Sequence, residues 1–187
     1  MRVIKLGGSL AQSGHLQACL DAIESNHPNH HLQVIVPGGG DFADQVRLAQ
    51  HHWSFDDTTA HAMAILAMQQ MALLFKGLKP NFKIADSVAD INQTPLNSHP
   101  VIWSPAIAEL NRAGVTASWD ITSDSLAAWL AISLSADELV LVKSAAIDSN
   151  LNLPELAERG LIDRAFPETA KTAAFILTII NAHDFNG

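Results

Sequence analysis

The chain reads as an α/β protein, an αβα sandwich built on a mainly parallel central sheet. Strand-like apolar runs alternate with helical patterns along most of its length. The runs Val34-Ile35-Val36 and Leu139-Val140-Leu141-Val142 are continuously apolar, as strands covered on both faces must be. Two runs end in glycine-rich turns: Lys5-Leu6-Gly7-Gly8-Ser9 follows Val3-Ile4, and Pro37-Gly38-Gly39-Gly40 follows Val34-Ile35-Val36.

Strands are predicted over residues 2–6, 32–36, 82–85, 101–103, 139–143 and 174–180, and helices over 16–25, 41–50, 57–75, 105–112, 123–133 and 154–158. Right-handed crossovers between parallel strands then place these helices in layers on the sheet. In the first helix Leu16, Cys19, Leu20 and Ile23 recur at helical spacing. The longest helix opens on Asp56-Asp57-Thr58-Thr59, which supplies caps and negative charge, and carries the stripe Ile65, Met68, Ala72 and Phe75. Met63, Met68 and Met71 are expected to fill core. The polar stretch 90–100 is expected to be an irregular surface connection, a hairpin or a lid.

Composition excludes several classes. With 187 residues, 48% hydrophobic and 16% charged, the chain fits a single domain that buries roughly 70% of its unfolded surface. The apolar-rich stretch 60–75 contains His61, Gln69 and Gln70 and falls short of the roughly 20 residues of a bilayer span, so no membrane partner is expected. A net charge of −8 without a basic run argues against nucleic acid. The first residues read as a strand and not as a secretory leader, which makes a cytoplasmic location the expectation. The single cysteine, Cys19, excludes an intrachain disulfide and reads as a small buried hydrophobe.

Chemistry is expected at the carboxyl ends of the strands, where both glycine turns lie and where ligands bind in open parallel sheets. Glycine lets the backbone approach an anion, and the helix after each turn offers unpaired N–H groups to it. Gly7, Gly8, Ser9, Gly38, Gly39 and Gly40 therefore form a candidate phosphate site, with Lys5 adding a positive charge. A side chain at Gly39 or Gly40 is expected to block binding with little loss of stability. The segment Trp119-Asp120-Ile121-Thr122-Ser123-Asp124 opens an Ala/Leu-rich helix. Thr122 or Ser123 can cap it, and Asp124 can orient lysines or hold Mg²⁺. Lys143 ends the run 139–143 at the same edge as Lys5, so the two can flank a transferring phosphoryl group.

Lys5-x-Gly7-Gly8-Ser9, Pro37-Gly38-Gly39-Gly40 and Thr122-Ser123-Asp124-Ser125-Leu126-Ala127-Ala128 together resemble the amino acid kinase superfamily, over roughly residues 1–145. That superfamily includes acetylglutamate, aspartate, uridylate and isopentenyl phosphate kinases. The resemblance implies an ATP-dependent, Mg²⁺-dependent kinase of a small phosphate or carboxylate acceptor. Lys5 and Lys143 would stabilise the transferred group, Asp124 would organise them, and the amides of Gly7, Gly8, Gly39 and Gly40 would face phosphates. Asp120 and Thr122 would lie with the substrate, and Lys5, Gly7, Gly8, Lys143 and Ser144 with the nucleotide. The helix Asp57-x-x-Ala60-His61-x-Met63-Ala64-Ile65, Trp119-Asp120 and Arg159-Gly160-Leu161-Ile162-Asp163 resemble a small branch of the superfamily acting in methanofuran biosynthesis on an aminomethylfuran-methyl phosphate.

In that frame residues 1–120 form an acceptor half and 121–187 an abbreviated nucleotide half, in a homo-oligomer. Two departures stand out. Ser144-Ala145-Ala146-Ile147-Asp148 replaces the family's Asp-Gly turn after the Lys143 strand, and its glycine-rich, lysine-containing segment before the last helices is missing. A uridylate kinase-like enzyme and a non-catalytic phosphometabolite-binding regulator are the alternatives. Of the nine histidines, His27, His30, His31, His51 and His52 lack the helical spacing of paired ligands and read as solvated, so no protein-bound metal is expected. His61 reads as core or cap packing.

Overall fold

In the computed structural model, which describes residues 1–26, 31–148, 150–171 and 173–187, the strands form one six-stranded sheet. They are β1 (Arg2–Leu6), β2 (Gln33–Pro37), β3 (Lys83–Ala85), β4 (Val101–Trp103), β5 (Glu138–Lys143) and β6 (Ile176–Asn181). Every pairing is parallel and the order is β3-β4-β2-β1-β5-β6, which puts β1 between β2 and β5. The strand ends that carry both glycine turns and Lys143 are therefore direct neighbours.

The helices are α1 (Ser9–Gln12), α2 (Leu16–Ser25), α3 (Gly40–Trp53), α4 (Asp57–Leu78), α5 (Val88–Asn92), α6 (Ile107–Arg112), α7 (Ser123–Ser133), α8 (Leu153–Glu158) and α9 (Phe166–Ala170). Strand side chains alternate between two cores. Val3, Val34, Val36, Leu139 and Leu141 face a core shared with α7, α8, α9 and the first half of α4. Ile4, Leu6, Ile35, Val140 and Val142 face the other, with α1, α2 and Phe75 at the far end of α4. The α/β sandwich read from the sequence is the architecture found.

Most predicted elements lie within three residues of their expected bounds. The stretch 90–100 is no hairpin: β3 and β4 pair in parallel through a crossover that contains α5. α1, α5 and α9, of four or five residues each, escaped the periodicity because one turn shows no stripe. α4 begins where expected, with the Asp56 carboxylate accepting the Thr59 N–H at 2.8 Å, and runs on to Leu78. At 22 residues it is long and apolar enough to cross a membrane, correcting the shorter reading, but here eight of its residues, from Ala60 to Phe75, are buried, and Ile65, Met68, Met71, Ala72 and Phe75 pack into the two cores. Met68 and Met71 are buried, whereas Met63 is half-buried. Cys19 is buried, which pushes its thiol up to about 11. His31, His51 and His52 are exposed, and His27 and His30 lie outside the described residues.

Candidate active site

The alternation that builds the cores also aims the lysines. Val3 and Lys5 share one face of β1, and Leu139, Leu141 and Lys143 share the same face of β5, the face that α7 covers. Asp124 sits in the first turn of α7. Its Oδ1 lies 2.8 Å from Lys5 Nζ, and its Oδ2 accepts a hydrogen bond from Lys143 Nζ at 2.6 Å. Lys5 is 5% exposed and Asp124 3%. Burial favours the neutral acid, but the two ammonium groups outweigh it and hold the Asp124 carboxyl down at about 2. Burial, and then the charge of Lys5, lower Lys143 to about 8 against the opposing pull of Asp124.

α7 is buried from Ser123 to Ala131 except at Trp129, its small residues Ser123, Ser125, Ala127, Ala128 and Ala131 interleaved with Leu126 and Leu130. Its first turn has no side-chain cap of its own, contrary to the capping expected of Thr122 or Ser123. Asp163, from the α8–α9 connection, takes that role: its Oδ2 accepts the Thr122 N–H at 2.8 Å and the Ser125 N–H at 2.9 Å. The Thr122 hydroxyl donates to Asp163 Oδ1, and the Asp163 N–H donates to Asp124 Oδ2 at 3.3 Å. In the sequence Asp163 stands out only as part of the segment Arg159-Gly160-Leu161-Ile162-Asp163. No local pattern ties it to a helix some forty residues earlier.

The glycine turns pack backbone against backbone. A Cβ on Gly8 would fall 2.3 Å from the Gly40 nitrogen, and one on Gly38 would fall 2.4 Å from the Gly8 nitrogen. Gly40 has φ +54, a left-handed conformation that favours glycine. The amides of Gly8, Ser9, Gly39 and Gly40 have no backbone acceptor among the described residues. The Gly7 N–H, by contrast, donates to Val142 O at 3.3 Å and the Gly38 N–H to Leu6 O at 2.8 Å, so these two glycines hold the turns in place and their amides are not offered to an anion. The expectation for Gly39 also changes. A Cβ there would lie 2.4 Å from Ala43 Cβ, so a side chain disturbs the start of α3 itself and stability cannot be spared.

A cavity of about 220 Å³ opens beside the turns. Gly8, Ser9, Gly39 and Gly40 form one end, Thr122 and Ser123 the floor toward Asp124, and α3, α4 and the 118–121 loop the remaining wall. Buried Lys5 and Asp124 and half-buried Lys143 do not themselves line it. Asp120 is exposed and stands outside it; the Asp120 carbonyl instead accepts the Ala165 N–H at 3.0 Å. Ser144 meets Ser9 hydroxyl to hydroxyl at 2.8 Å, tying the ends of β1 and β5 together. Asn181 Nδ2 donates to the Ala145 carbonyl at 2.8 Å, which braces the turn that replaces the family's Asp-Gly. The wall residues Arg47, Asp57, His61 and Trp119 were not assigned to the site from sequence.

A parallel sheet with a buried lysine-carboxylate-lysine group behind two glycine turns defines an α/β phosphotransferase. Residues 1–146 match the amino acid kinase family, and the chain belongs to that family and is a kinase. It is 28% identical, over its full length and 77% of the relative's, to the [5-(aminomethyl)furan-3-yl]methyl phosphate kinase of Methanocaldococcus jannaschii. Its fold is shared with the uridylate kinase of Archaeoglobus fulgidus, at a TM-score of 0.70, 19% identity and coverage of 96% of this chain and 90% of that one. The UMP kinase of Bacillus anthracis also has a TM-score of 0.70, at 15% identity and coverage of 98% and 87%.

Proposed function

We propose that the protein transfers the γ-phosphoryl group of ATP to a phosphate oxygen of a small phosphorylated metabolite, the acceptor being an aminomethylfuran-methyl phosphate like that named for the M. jannaschii relative. The observation that carries this reading is the buried Lys5-Asp124-Lys143 group beside the glycine turns. Two ammonium groups and one carboxylate leave one formal positive charge where a phosphoryl group would arrive. Taking such charges out of water costs several kcal/mol, which their mutual ion pairs offset in part, and the net positive charge that remains favours the charge spread over a transferring phosphoryl group.

An acceptor phosphate oxygen attacks Pγ in line as the bond from Pγ to the β–γ bridging oxygen breaks, giving ADP and a diphosphate. The attacking oxygen is already anionic, so no general base is required. The free amides of Gly8, Ser9, Gly39 and Gly40 hold the phosphates, and Lys5 and Lys143 neutralise charge on the moving group. Ser144 and the groove of Ala146, Ile147, Ile180 and Asn181 receive the nucleotide. Asp124 has both oxygens engaged by lysines, and among the described residues no cluster of three or more His, Cys, Asp or Glu could ligate a metal. Mg²⁺ supplied with ATP would help neutralise the phosphate charge.

Incubation with MgATP and [5-(aminomethyl)furan-3-yl]methyl phosphate, followed by ³¹P NMR, tests the reading. ADP and a new diphosphate are expected. Turnover of UMP or of an acyl acceptor in preference to the furan phosphate would reassign the acceptor, and no ADP with any of them would refute the kinase mechanism.

A further inference from the structure

One face of α4 runs along the whole cavity. Asp57, His61, Ala64, Ile65 and Met68 line it at helical spacing, polar at the start of the helix and apolar beyond. Farther along, Ala67 and Met71 meet the glycine turns, within 3.7 Å of a Cβ on Gly39 and 3.3 Å of one on Gly40. The helix is thus a ruler from the phosphate end to a polar end. At 1.5 Å per residue, His61 stands about 9 Å along the axis from Ala67, and Asp57 about 15 Å.

The polar end holds an unsatisfied group. His61 is 9% exposed, and its Nε2 has no hydrogen-bond partner among the described residues. Burial lowers its pKa and so favours the neutral imidazole, whose Nε2 accepts a hydrogen bond when Nδ1 carries the proton. An unpaired buried nitrogen is costly unless a ligand takes it up. One turn earlier, Asp57 is exposed at the cavity mouth with its Oδ1 accepting from Gln50 Nε2 at 2.8 Å. Arg47, the cation of this wall, is paired with Asp44 at 3.2 Å and lies 4.1 Å from the Trp119 ring centroid, so Asp57 has no cationic side chain paired with it among the described residues.

We propose that His61 and Asp57 form a specificity subsite for a primary ammonium group, so that the cavity selects phosphate monoesters of small flat rings with an amine about 9 Å from the phosphate. This rests on the acceptor reading above. The apolar middle, Ala64, Ile65 and Met68, takes the ring, and the polar end takes up to three N–H donors that a methyl or hydroxymethyl group lacks.

Calorimetry with [5-(aminomethyl)furan-3-yl]methyl phosphate and with (5-methylfuran-3-yl)methyl phosphate, in the absence of nucleotide, tests the subsite. The wild type is expected to bind the amine at least about tenfold more tightly. His61→Phe and Asp57→Asn should each remove most of that preference, and His61→Gln, which keeps a polar acceptor, should retain part of it, with thermal melts showing each variant folded. Equal affinity of the wild type for both compounds, or a preference that survives both substitutions, would overturn the proposal. Turnover with MgATP separates the two ideas: an amine preference in binding without phosphorylation refutes the kinase reading alone, and phosphorylation of both compounds with equal affinity refutes the subsite alone.

Discussion

The backbone N–H of Asp163 points at the Oδ2 of Asp124, 3.3 Å away, while the Asp163 carboxylate accepts the Thr122 and Ser125 N–H groups. One residue thus fixes both the start of α7 and the carboxylate that the helix carries toward Lys5 and Lys143. Asp163→Ala should lower stability by about 1–2 kcal/mol, the worth of a lost cap with its amides left unpaired. It should lower kcat further than the folded fraction explains: the backbone N–H to Asp124 remains, but the first turn of α7, which carries Asp124, loses the carboxylate that holds Thr122 and Ser125. Denaturant melts alongside steady-state rates decide this, and normal kcat in the folded variant would reduce Asp163 to a cap.

Asp124→Asn removes the charge that holds two ammonium groups 2.8 and 2.6 Å away. The lysines then repel each other across a neutral amide, and kcat should fall by about 100-fold or more while the Kd for ATP changes little. Equilibrium binding beside single-turnover rates checks the split. Loss of nucleotide affinity with an unchanged chemical step would place Asp124 in binding.

Lys143 supplies a pH dependence with a definite sign. Burial, then Lys5, put its folded pKa at about 8, below the ordinary 10.5, so the free enzyme loses this positive charge as pH rises through about 8. The profile of kcat/KM should fall on that limb, and Lys143→Arg, charged throughout, should flatten it at a lower plateau. Stability moves the other way. Between about 8 and 10.5 the unfolded chain binds more protons than the folded one, so the Lys143 contribution to stability rises with pH. Melting curves across that range would expose an activity loss that is merely unfolding.

The glycines separate into two kinds. Gly8→Ala would put a Cβ 2.3 Å from the Gly40 nitrogen, an overpacking expected to cost about 2 kcal/mol or more and to lower Tm by several degrees. Gly77 lies inside α4 with open space around its Cβ position, so Gly77→Ala should stabilise by about 0.5–1 kcal/mol. Thermal unfolding of the two variants checks the contrast.

The sheet was legible because its central strands are apolar on both faces and end in glycine. Lys5, Asp124 and Lys143 were legible as chemistry at one strand edge, whereas the shared face of the two lysines follows only from the register, which sets Lys5 beside Leu141, two residues before Lys143. Distance in sequence hid Asp163, whose partners belong to another helix. The Gly7 amide was expected to face a phosphate and Gly38 to belong to the phosphate site, because composition does not reveal that neighbouring carbonyls take both N–H groups. His61 was read as packing, although its spacing from Asp57, Ala64, Ile65 and Met68 already set it on one helical face.

The central claim is that Lys5 and Lys143 act on charge that develops only as the phosphoryl group moves. The most direct measurement is single-turnover phosphoryl transfer from saturating MgATP to the furan phosphate by wild type, Lys5→Ala and Lys143→Ala. The account predicts a rate about 100-fold or more lower in each variant, with the fold retained. Transfer at a rate near that of the wild type in both variants would contradict it.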